Sequence, residues 1–167
     1  MKHIKYLPII LITIAFSSFI VLPTIQAEAA AKVSSWDLVD SGKHLDYDGN
    51  SKYMSQVKFG AGLWNAYKKG VIRPDSVSVI QDIYCSDVSV NNNTNATTYG
   101  TGKLVFNKKN MDRLSANGKK MVASHELGHA LRLAHNTSSD IMCEYNTTRI
   151  TLSANDKASY NAAYKKY

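Results

Sequence analysis

The sequence predicts an α+β domain in which helices pack against a single sheet. Segments with helical spacing and short segments with strand patterns are both present, and they follow one another in a mixed order. That order is a strand, a helix, several strands, a helix, an irregular segment and a final helix. Such an order is typical of helices packed on a sheet. The length of 167 residues fits one domain of this kind.

The first 29 residues predict a secretory signal peptide that does not belong to the fold. Lys2 and Lys5 precede an apolar run at residues 7–22, and Ala27 and Ala29 provide a small-x-small cleavage site. An uncleaved membrane anchor is the alternative, but the run is near the lower length limit for a spanning helix. We therefore expect a secreted, extracellular protein with residues 30–167 as one domain and no stable membrane insertion after signal removal.

The first half of this domain predicts a strand followed by a helix. Residues 33–48 mix apolar residues with turn formers and are expected to hold the first strand. Apolar residues at helical spacing then predict an amphipathic helix over about residues 52–69, with Gly70 as its stop. These apolar residues are Met54, Val57, Ala61 and Trp64.

The middle of the chain predicts two more strands separated by a loop. Val77, Val79 and Ile83 alternate with polar residues after a turn at Pro74, as in a strand. Residues 91–98 are rich in Asn and Thr and are expected to form an exposed loop. A short apolar centre predicts the next strand at residues 103–107.

Two further helices are expected in the second half. One should begin near Ser115 and turn its apolar side chains inward; these are Met121, Val122, Leu127, Ala130 and Leu131. The other should begin at Ser153, where a capping side chain precedes an acid in the first turn, and run toward Tyr164.

Charge and cysteine content limit the classes of partner. The net charge of +7 comes from scattered lysine pairs that form no continuous stripe, so we expect a solubilising surface, a monomer and no nucleic-acid binding. A basic secreted domain also favours acidic surfaces such as cell-wall polymers. Cys85 and Cys143 suggest one disulfide in an oxidising compartment, with two buried thiols as the alternative.

The strongest chemical signal is H-E-x-x-H at residues 125–129, within the helix expected after Ser115. His125 and His129 are four residues apart, so both imidazoles project from one helical face and can bind one zinc ion. Glu126 lies beside the metal without being a ligand, where it can accept a proton from a water molecule. The alternative is a chance placement of surface histidines, but three of the chain's five histidines fall within eleven residues.

Geometry favours His135 as the third ligand. In a continuous helix, His135 would lie about 15 Å along the axis from His125, too far for one ion. The helix must therefore end soon after His129, and the chain must fold back. Asp140 and Glu144 are the alternative ligands, because carboxylates complete the site in other H-E-x-x-H enzymes. His44 is expected at the surface.

Residues 125–135 read HELGHALRLAH, which resembles the metzincin signature H-E-x-x-H-x-x-G-x-x-H. Met142 resembles the methionine of the Met-turn, and its spacing from His135 is most similar to the matrixin branch. This resemblance implies a metzincin-like catalytic domain with a twisted, mostly parallel sheet, an antiparallel edge strand and three helices. It also implies peptidase activity on a protein or peptide substrate, with Met142 as a hydrophobic floor beneath the metal.

The chain departs from the family pattern in three ways, and Tyr145 near the site carries a weaker expectation. The departures are Arg132, a segment before His44 too short for a matrixin-like pro-region, and Cys143 directly after Met142. Arg132 stands where the family usually has Gly, and a left-handed backbone at this residue costs about 1–2 kcal/mol. A Cys85–Cys143 disulfide could pin the wall of the site to a strand. Tyr145 is a candidate oxyanion donor, although it lies one residue farther from Met142 than in the relatives, which favours a structural role.

Two functions follow as expectations. The first is a zinc-dependent endopeptidase in which Glu126 acts as the general base and then as the acid. The alternative is a secreted zinc-binding module without turnover, bound to a surface or cell wall, and the unusual Arg132 is the feature that favours it. A purely structural zinc site is disfavoured because such sites usually fill all four positions and prefer cysteine.

Overall fold

The structure is a computed structural model that describes residues 29–76 and 79–167. Almost all of the expected signal peptide, residues 1–28, lies outside the described residues, and so does Val77. Within the described ranges, none of the helices combines the length and the apolar character needed to cross a membrane.

The described residues form an α+β fold around a five-stranded sheet. The strands are β1 (Leu45–Gly49), β2 (Ile72–Pro74), β3 (Ile83–Val88), β4 (Ala96–Tyr99) and β5 (Lys103–Asn107). Their order across the sheet is β2-β1-β3-β5-β4. The pairs β1–β2, β1–β3 and β3–β5 are parallel, whereas β4 is an edge strand that runs antiparallel to β5. The predicted α+β class with a mostly parallel sheet is therefore confirmed.

The described part of the chain has four helices, one more than expected. They are α1 (Met54–Asn65), α2 (Lys108–Met111), α3 (Ala116–Ala130) and α4 (Ala154–Tyr164). The additional helix α2 is a single turn directly after β5, too short to show a helical period in the sequence. The other three occupy the predicted places, and α1 packs against α3.

Several strand predictions were wrong in detail. The first strand is confined to the end of its predicted segment, and β2 was not predicted because it has three residues. Val79 forms an isolated bridge with Ser76 and lies outside β3, whose buried residues are Ile83 and Cys85. The end of the predicted loop is strand β4, since Thr is β-branched and fits an edge strand that lacks an apolar pattern.

The three long helices meet at Trp64. Its side chain is fully buried, and its indole Nε1 donates a hydrogen bond to the Ser124 carbonyl of α3 at 2.8 Å. The ring of Tyr160 on α4 packs edge-on against Trp64, with 5.4 Å between the ring centroids. These contacts fix α3 against both neighbours and so hold the H-E-x-x-H segment in place.

The helices α3 and α4 begin where the sequence predicts, with the predicted cap at Ser153 and a further cap at Ser115. The Ser115 hydroxyl accepts a hydrogen bond from the Gly118 N–H, and Ser153 and Asp156 form a reciprocal capping box. The fully buried Asp156 carboxylate also accepts hydrogen bonds from the N–H groups of Ile141 at 2.9 Å and Met142 at 3.2 Å. The first turn of α4 therefore holds the segment that contains Met142.

We expect Asp156→Asn to lower the free energy of unfolding by about 2 kcal/mol. Asparagine keeps the shape, but its NH2 group cannot accept a hydrogen bond from the backbone N–H groups that Asp156 now serves. Urea unfolding followed by circular dichroism measures the change. Asp48→Asn, on an exposed position of β1, is the matched control and should change stability by less than about 0.5 kcal/mol. Equal losses of stability in the two variants would contradict the stabilising role of the hydrogen bonds that Asp156 accepts.

Candidate metal centre

The metal centre is built on the last turns of α3. His125 and His129 lie one helical turn apart, with 4.6 Å between their ring centroids. His125 is buried and His129 is half-buried. The helix ends at Ala130, directly after the second histidine, as the geometry of a third ligand requires. The predicted end of this helix is confirmed.

The chain reverses direction through a Schellman motif at the end of α3. Arg132 has φ of 74°, in the left-handed region, and its N–H donates to the His129 carbonyl at 3.0 Å. The Leu133 N–H donates to the Gly128 carbonyl at 2.9 Å. Together these are the two hydrogen bonds that define the motif. Arginine therefore adopts the conformation for which glycine is the usual residue.

The Arg132 side chain compensates for part of this strain. Its Nη1 atom lies 2.6 Å from the Asp37 carboxylate, and both side chains are largely shielded from solvent. The Arg132 carbonyl also accepts a hydrogen bond from the Ser34 N–H at 2.8 Å. The segment after the predicted cleavage site thus packs along the turn, and this contact was not predicted from the sequence.

The turn brings His135 to the other two histidines. Its ring centroid lies 5.1 Å from that of His125 and 4.9 Å from that of His129. The Nε2 atoms of His129 and His135 are 3.2 Å apart. One ring nitrogen from each of the three residues lies within 4.8 Å of the others, so the group could hold a metal ion.

Hydrogen bonds orient the two helical histidines for this purpose. The Nδ1 atom of His125 lies 2.9 Å from the Ile141 carbonyl, and that of His129 lies 2.9 Å from the Leu133 carbonyl. In the neutral ring, an Nδ1–H that donates to a carbonyl leaves the Nε2 lone pair available for a metal. Each ring therefore has its tautomer and its direction fixed by the backbone.

The separation of one pair of these nitrogens is compatible with a tetrahedral metal ion such as zinc. Four ligands arranged tetrahedrally at about 2.0–2.1 Å place neighbouring nitrogens about 3.3–3.4 Å apart. The observed separation of 3.2 Å between the Nε2 atoms of His129 and His135 is close to this value. Burial lowers the pKa of His125 to about 3 and also lowers the pKa of His135; His129 lowers both further. Both rings are consequently neutral at physiological pH, the form that binds metal.

Neither alternative ligand, Asp140 or Glu144, belongs to the group of converging histidine nitrogens. Asp140 is fully buried and accepts hydrogen bonds from the Thr137 N–H and hydroxyl, both at 2.7 Å, so it stabilises a turn. Glu144 is exposed on the cleft wall and, among the described residues, is outside the histidine group. His44 is half-buried, and its Nδ1 atom lies 3.7 Å from Asp40.

Glu126 is buried beside the histidines and has a partner that the sequence did not predict. The Thr98 hydroxyl on β4 lies 2.8 Å from Oε2 of Glu126 and 3.0 Å from its main-chain carbonyl. Burial raises the pKa of Glu126, and His129 and the Thr98 hydroxyl oppose this shift. Since Thr98 lies in the segment predicted as a loop, no local pattern indicated this contact.

Met142 lies beneath the helix, against the backbone of α3. It is fully buried, and its carbonyl accepts a hydrogen bond from the Asn136 N–H at 2.7 Å. A Cβ atom added to Gly128 would collide with the Met142 sulfur and would lie 3.1 Å from the Trp64 ring. The glycine of H-E-L-G-H therefore permits the close approach of the methionine.

The predicted Cys85–Cys143 disulfide is not formed. Both residues are buried free thiols. Cys85 lies within β3, in register with Gly49 of β1 and Leu104 of β5, so its surroundings are the middle of the sheet. Cys143 lines the cleft directly after Met142. The alternative of two buried thiols is the one found.

A cleft of about 770 Å³ opens beside the histidines. One wall is formed by β4 and the loop before it, and the other by residues 143–146. Tyr145 lies on this second wall and is 73% exposed. A buried carboxylate, three convergent imidazoles and an accessible cleft together suit metal-assisted hydrolysis.

A second group of acids, Asp40, Asp46 and Asp82, also has converging oxygen atoms. The buried Asp46 carboxylate forms two hydrogen bonds with Arg73, at 2.8 and 2.7 Å. The Asp82 carboxylate accepts a hydrogen bond from the Asp46 N–H at 2.8 Å, and burial raises its pKa. These hydrogen bonds give the carboxylates of Asp46 and Asp82 partners within the protein.

We expect Gly128→Ala to lower the free energy of unfolding by about 1–3 kcal/mol, because the new methyl group would displace Met142 and Trp64. Gly62→Ala is the matched control in α1, where an added Cβ meets no atom within 4 Å. It should raise stability by up to about 1 kcal/mol, since alanine favours the helix. Urea unfolding of both variants measures the effects. Changes in the free energy of unfolding that have the same sign in both variants would contradict the close packing of Met142 against Gly128.

We expect His135→Ala to weaken zinc binding by about 100-fold or more, because one of three protein ligands is lost. Competition with a chromophoric chelator measures the affinity, and elemental analysis measures the bound metal. His44→Ala removes the other histidine of the described residues and should leave both quantities unchanged. Stoichiometric zinc of wild-type affinity in His135→Ala would show that another group completes the site.

No protein-family model matches the chain, and no match is found among curated proteins. The chemistry of the site therefore rests on its own residues. These are three histidines with converging ring nitrogens, a buried glutamate and the cleft beside them.

Proposed function

We propose that the protein is a secreted zinc-dependent endopeptidase of the metzincin type, most similar to the matrixin branch. One observation carries the proposal: the Nε2 atoms of His129 and His135 face each other at 3.2 Å on the wall of an accessible cleft, with His125 beside them. This geometry fits three ligands of a tetrahedral ion whose fourth position faces the cleft, the pattern of a catalytic zinc site.

The donor set favours zinc over other abundant divalent cations. Three imidazole nitrogens suit zinc, whereas magnesium and calcium require oxygen ligands. Zinc bound here would polarise the scissile carbonyl and lower the pKa of water toward about 7. The carbonyls of Ile141 and Leu133 would hold His125 and His129 in the metal-binding tautomer.

Glu126 is the candidate general base. It lies on α3 between the two helical ligands in sequence, its carboxylate is buried, and it lines the cleft. Burial raises the pKa of Glu126, and the positive charge of a bound zinc ion would oppose this shift and favour the carboxylate that accepts a proton. The same carboxyl group then delivers the proton to the departing amine.

The substrate is expected to be an extended peptide beside β4. This strand pairs with β5 along one edge, and among the described strands it is the last of the sheet on that side. Its other edge presents backbone groups at the cleft, to which an extended chain can add as a further strand. Tyr145 on the opposite wall is a candidate donor to the carbonyl oxygen during the reaction.

The turn at Arg132 supports the proposal. A glycine is usual here in the metzincin signature, and its replacement was the feature that favoured a non-catalytic zinc-binding module. Arg132 takes the left-handed conformation, and the Schellman hydrogen bonds form around it. The unusual residue thus coexists with a third histidine in ligand position, and it no longer favours the non-catalytic alternative.

We expect Glu126→Gln to lower kcat for cleavage of an unstructured protein by about 10³-fold, because the group that takes the proton is lost. Zinc content should remain at one ion per chain, since Glu126 is not a ligand. Release of new peptide N-termini measures the activity.

Glu144→Gln is the matched control, because Glu144 is the other carboxylate of the cleft and lies on its exposed wall. This variant should retain activity within about threefold of wild type. Equal activity of the zinc-loaded wild-type and Glu126→Gln proteins would overturn the mechanism with Glu126 as the base. Absence of cleavage by the zinc-loaded wild type would remove the peptidase and leave the zinc-binding module.

A further inference from the structure

Thr98 lies where the edge strand of the sheet meets the helix of the metal centre. It belongs to β4 and stands opposite Leu104 of β5 in the antiparallel register. Side chains alternate along a strand, so Thr98 shares its face with Ala96, which is buried. This face is directed at α3, because the Thr98 hydroxyl reaches Glu126.

The Thr98 hydroxyl has one proton to donate, and two possible acceptors for it lie on Glu126. It lies 2.8 Å from Oε2 of the Glu126 carboxylate and 3.0 Å from the Glu126 carbonyl oxygen. A donor shared between the two ends of a glutamate restrains the side-chain torsions between them. Among the described residues, Thr98 is the side chain that donates a hydrogen bond to the Glu126 carboxylate.

This contact makes the two carboxylate oxygens inequivalent. Oε2 accepts a hydrogen bond from Thr98, whereas Oε1 accepts none from the described residues and is the candidate to take a proton from water in the cleft. A base must lie within hydrogen-bonding reach of the proton that it removes, and rates fall steeply when the geometry is lost. An unrestrained glutamate would distribute its carboxylate over several rotamers.

We infer that Thr98 is a positioning residue for the base Glu126, which it holds through its hydroxyl with one carboxylate oxygen directed at the attacking water. The inference rests on the proposed hydrolytic function. It gives β4 a second task besides binding substrate: the strand that the substrate joins also orients the base. Placement of the substrate and of the base would then depend on the same strand.

Three variants separate the hydroxyl from the remainder of the side chain. Thr98→Val keeps the shape and removes the donor, whereas Thr98→Ser keeps the donor and removes a methyl group. Thr101→Val makes the same chemical change in the exposed turn between β4 and β5, so it controls for loss of a threonine hydroxyl as such.

We expect Thr98→Val to lower kcat by about 10–100-fold with KM within about twofold of wild type, the effect typical of a lost outer-shell partner. Thr98→Ser should recover most of the lost kcat, and Thr101→Val should match wild type. Zinc affinity should be equal in all four proteins. Chromophoric chelator competition for zinc and steady-state cleavage of one fluorogenic peptide provide these measurements.

A readout independent of turnover comes from a double-mutant cycle between Thr98→Val and Glu126→Ala. Urea unfolding at saturating zinc gives the unfolding equilibrium constant of each protein. If the hydroxyl binds the carboxylate, the two substitutions together should change this constant about five- to tenfold less than the product of their separate effects.

The outcomes discriminate the inference from the function on which it rests. A wild-type protein that binds zinc but cleaves no peptide overturns the proposed function and, with it, the role of Thr98. An active wild type with unchanged kcat in Thr98→Val overturns the inference alone. Serine as impaired as valine, or additive effects in the double-mutant cycle, would also overturn it, because the hydroxyl would then not be the group that acts.

Discussion

The whole site depends on one backbone reversal, at residues 131–133. A helix presents His125 and His129 on one face, but it cannot present a third ligand ten residues from the first at the same point. The chain must leave the helical path within one turn of His129 and return toward it. The left-handed Arg132 and the two hydrogen bonds to the His129 and Gly128 carbonyls achieve this. The ion pair with Asp37 and the packing of the N-terminal segment hold the strained residue in place.

The parts of the fold that follow local rules could be predicted from the sequence. Ser115 and Ser153 cap helices where capping residues precede helical patterns, and the end of α3 followed from the reach of one ion. The sequence predicts a loop at the edge strand β4, because its mostly polar residues do not alternate with apolar ones. The Thr98–Glu126 contact depends on the register of β4 against β5, which is a tertiary property. The free state of Cys85 and Cys143 likewise depends on where the sheet places β3.

Under the proposed function, the same sheet edge would connect substrate recognition with the chemistry of the site. Edge strands expose unpaired backbone groups and readily accept another strand. Here that edge is four residues long, and one of its side chains already contacts the buried glutamate. A peptide added to β4 would therefore lie one strand spacing, about 4.8 Å, from the strand whose Thr98 contacts Glu126. A short polar edge also limits unwanted sheet extension between copies of the chain.

The facing imidazoles indicate how metal binding would couple to the stability of the fold. The carbonyl of Leu133 fixes the Nδ1–H of His129, so the Nε2 lone pair points at His135 across 3.2 Å. In the neutral state, the Nε2–H tautomer of His135 can donate a hydrogen bond to this lone pair, whereas a cation between the rings would bind a lone pair from each. The backbone reversal at Arg132 brings His135 to the helical histidines in the folded chain. The unfolded chain has no such convergence, so an ion bound by the folded state would stabilise the fold as well as complete the site.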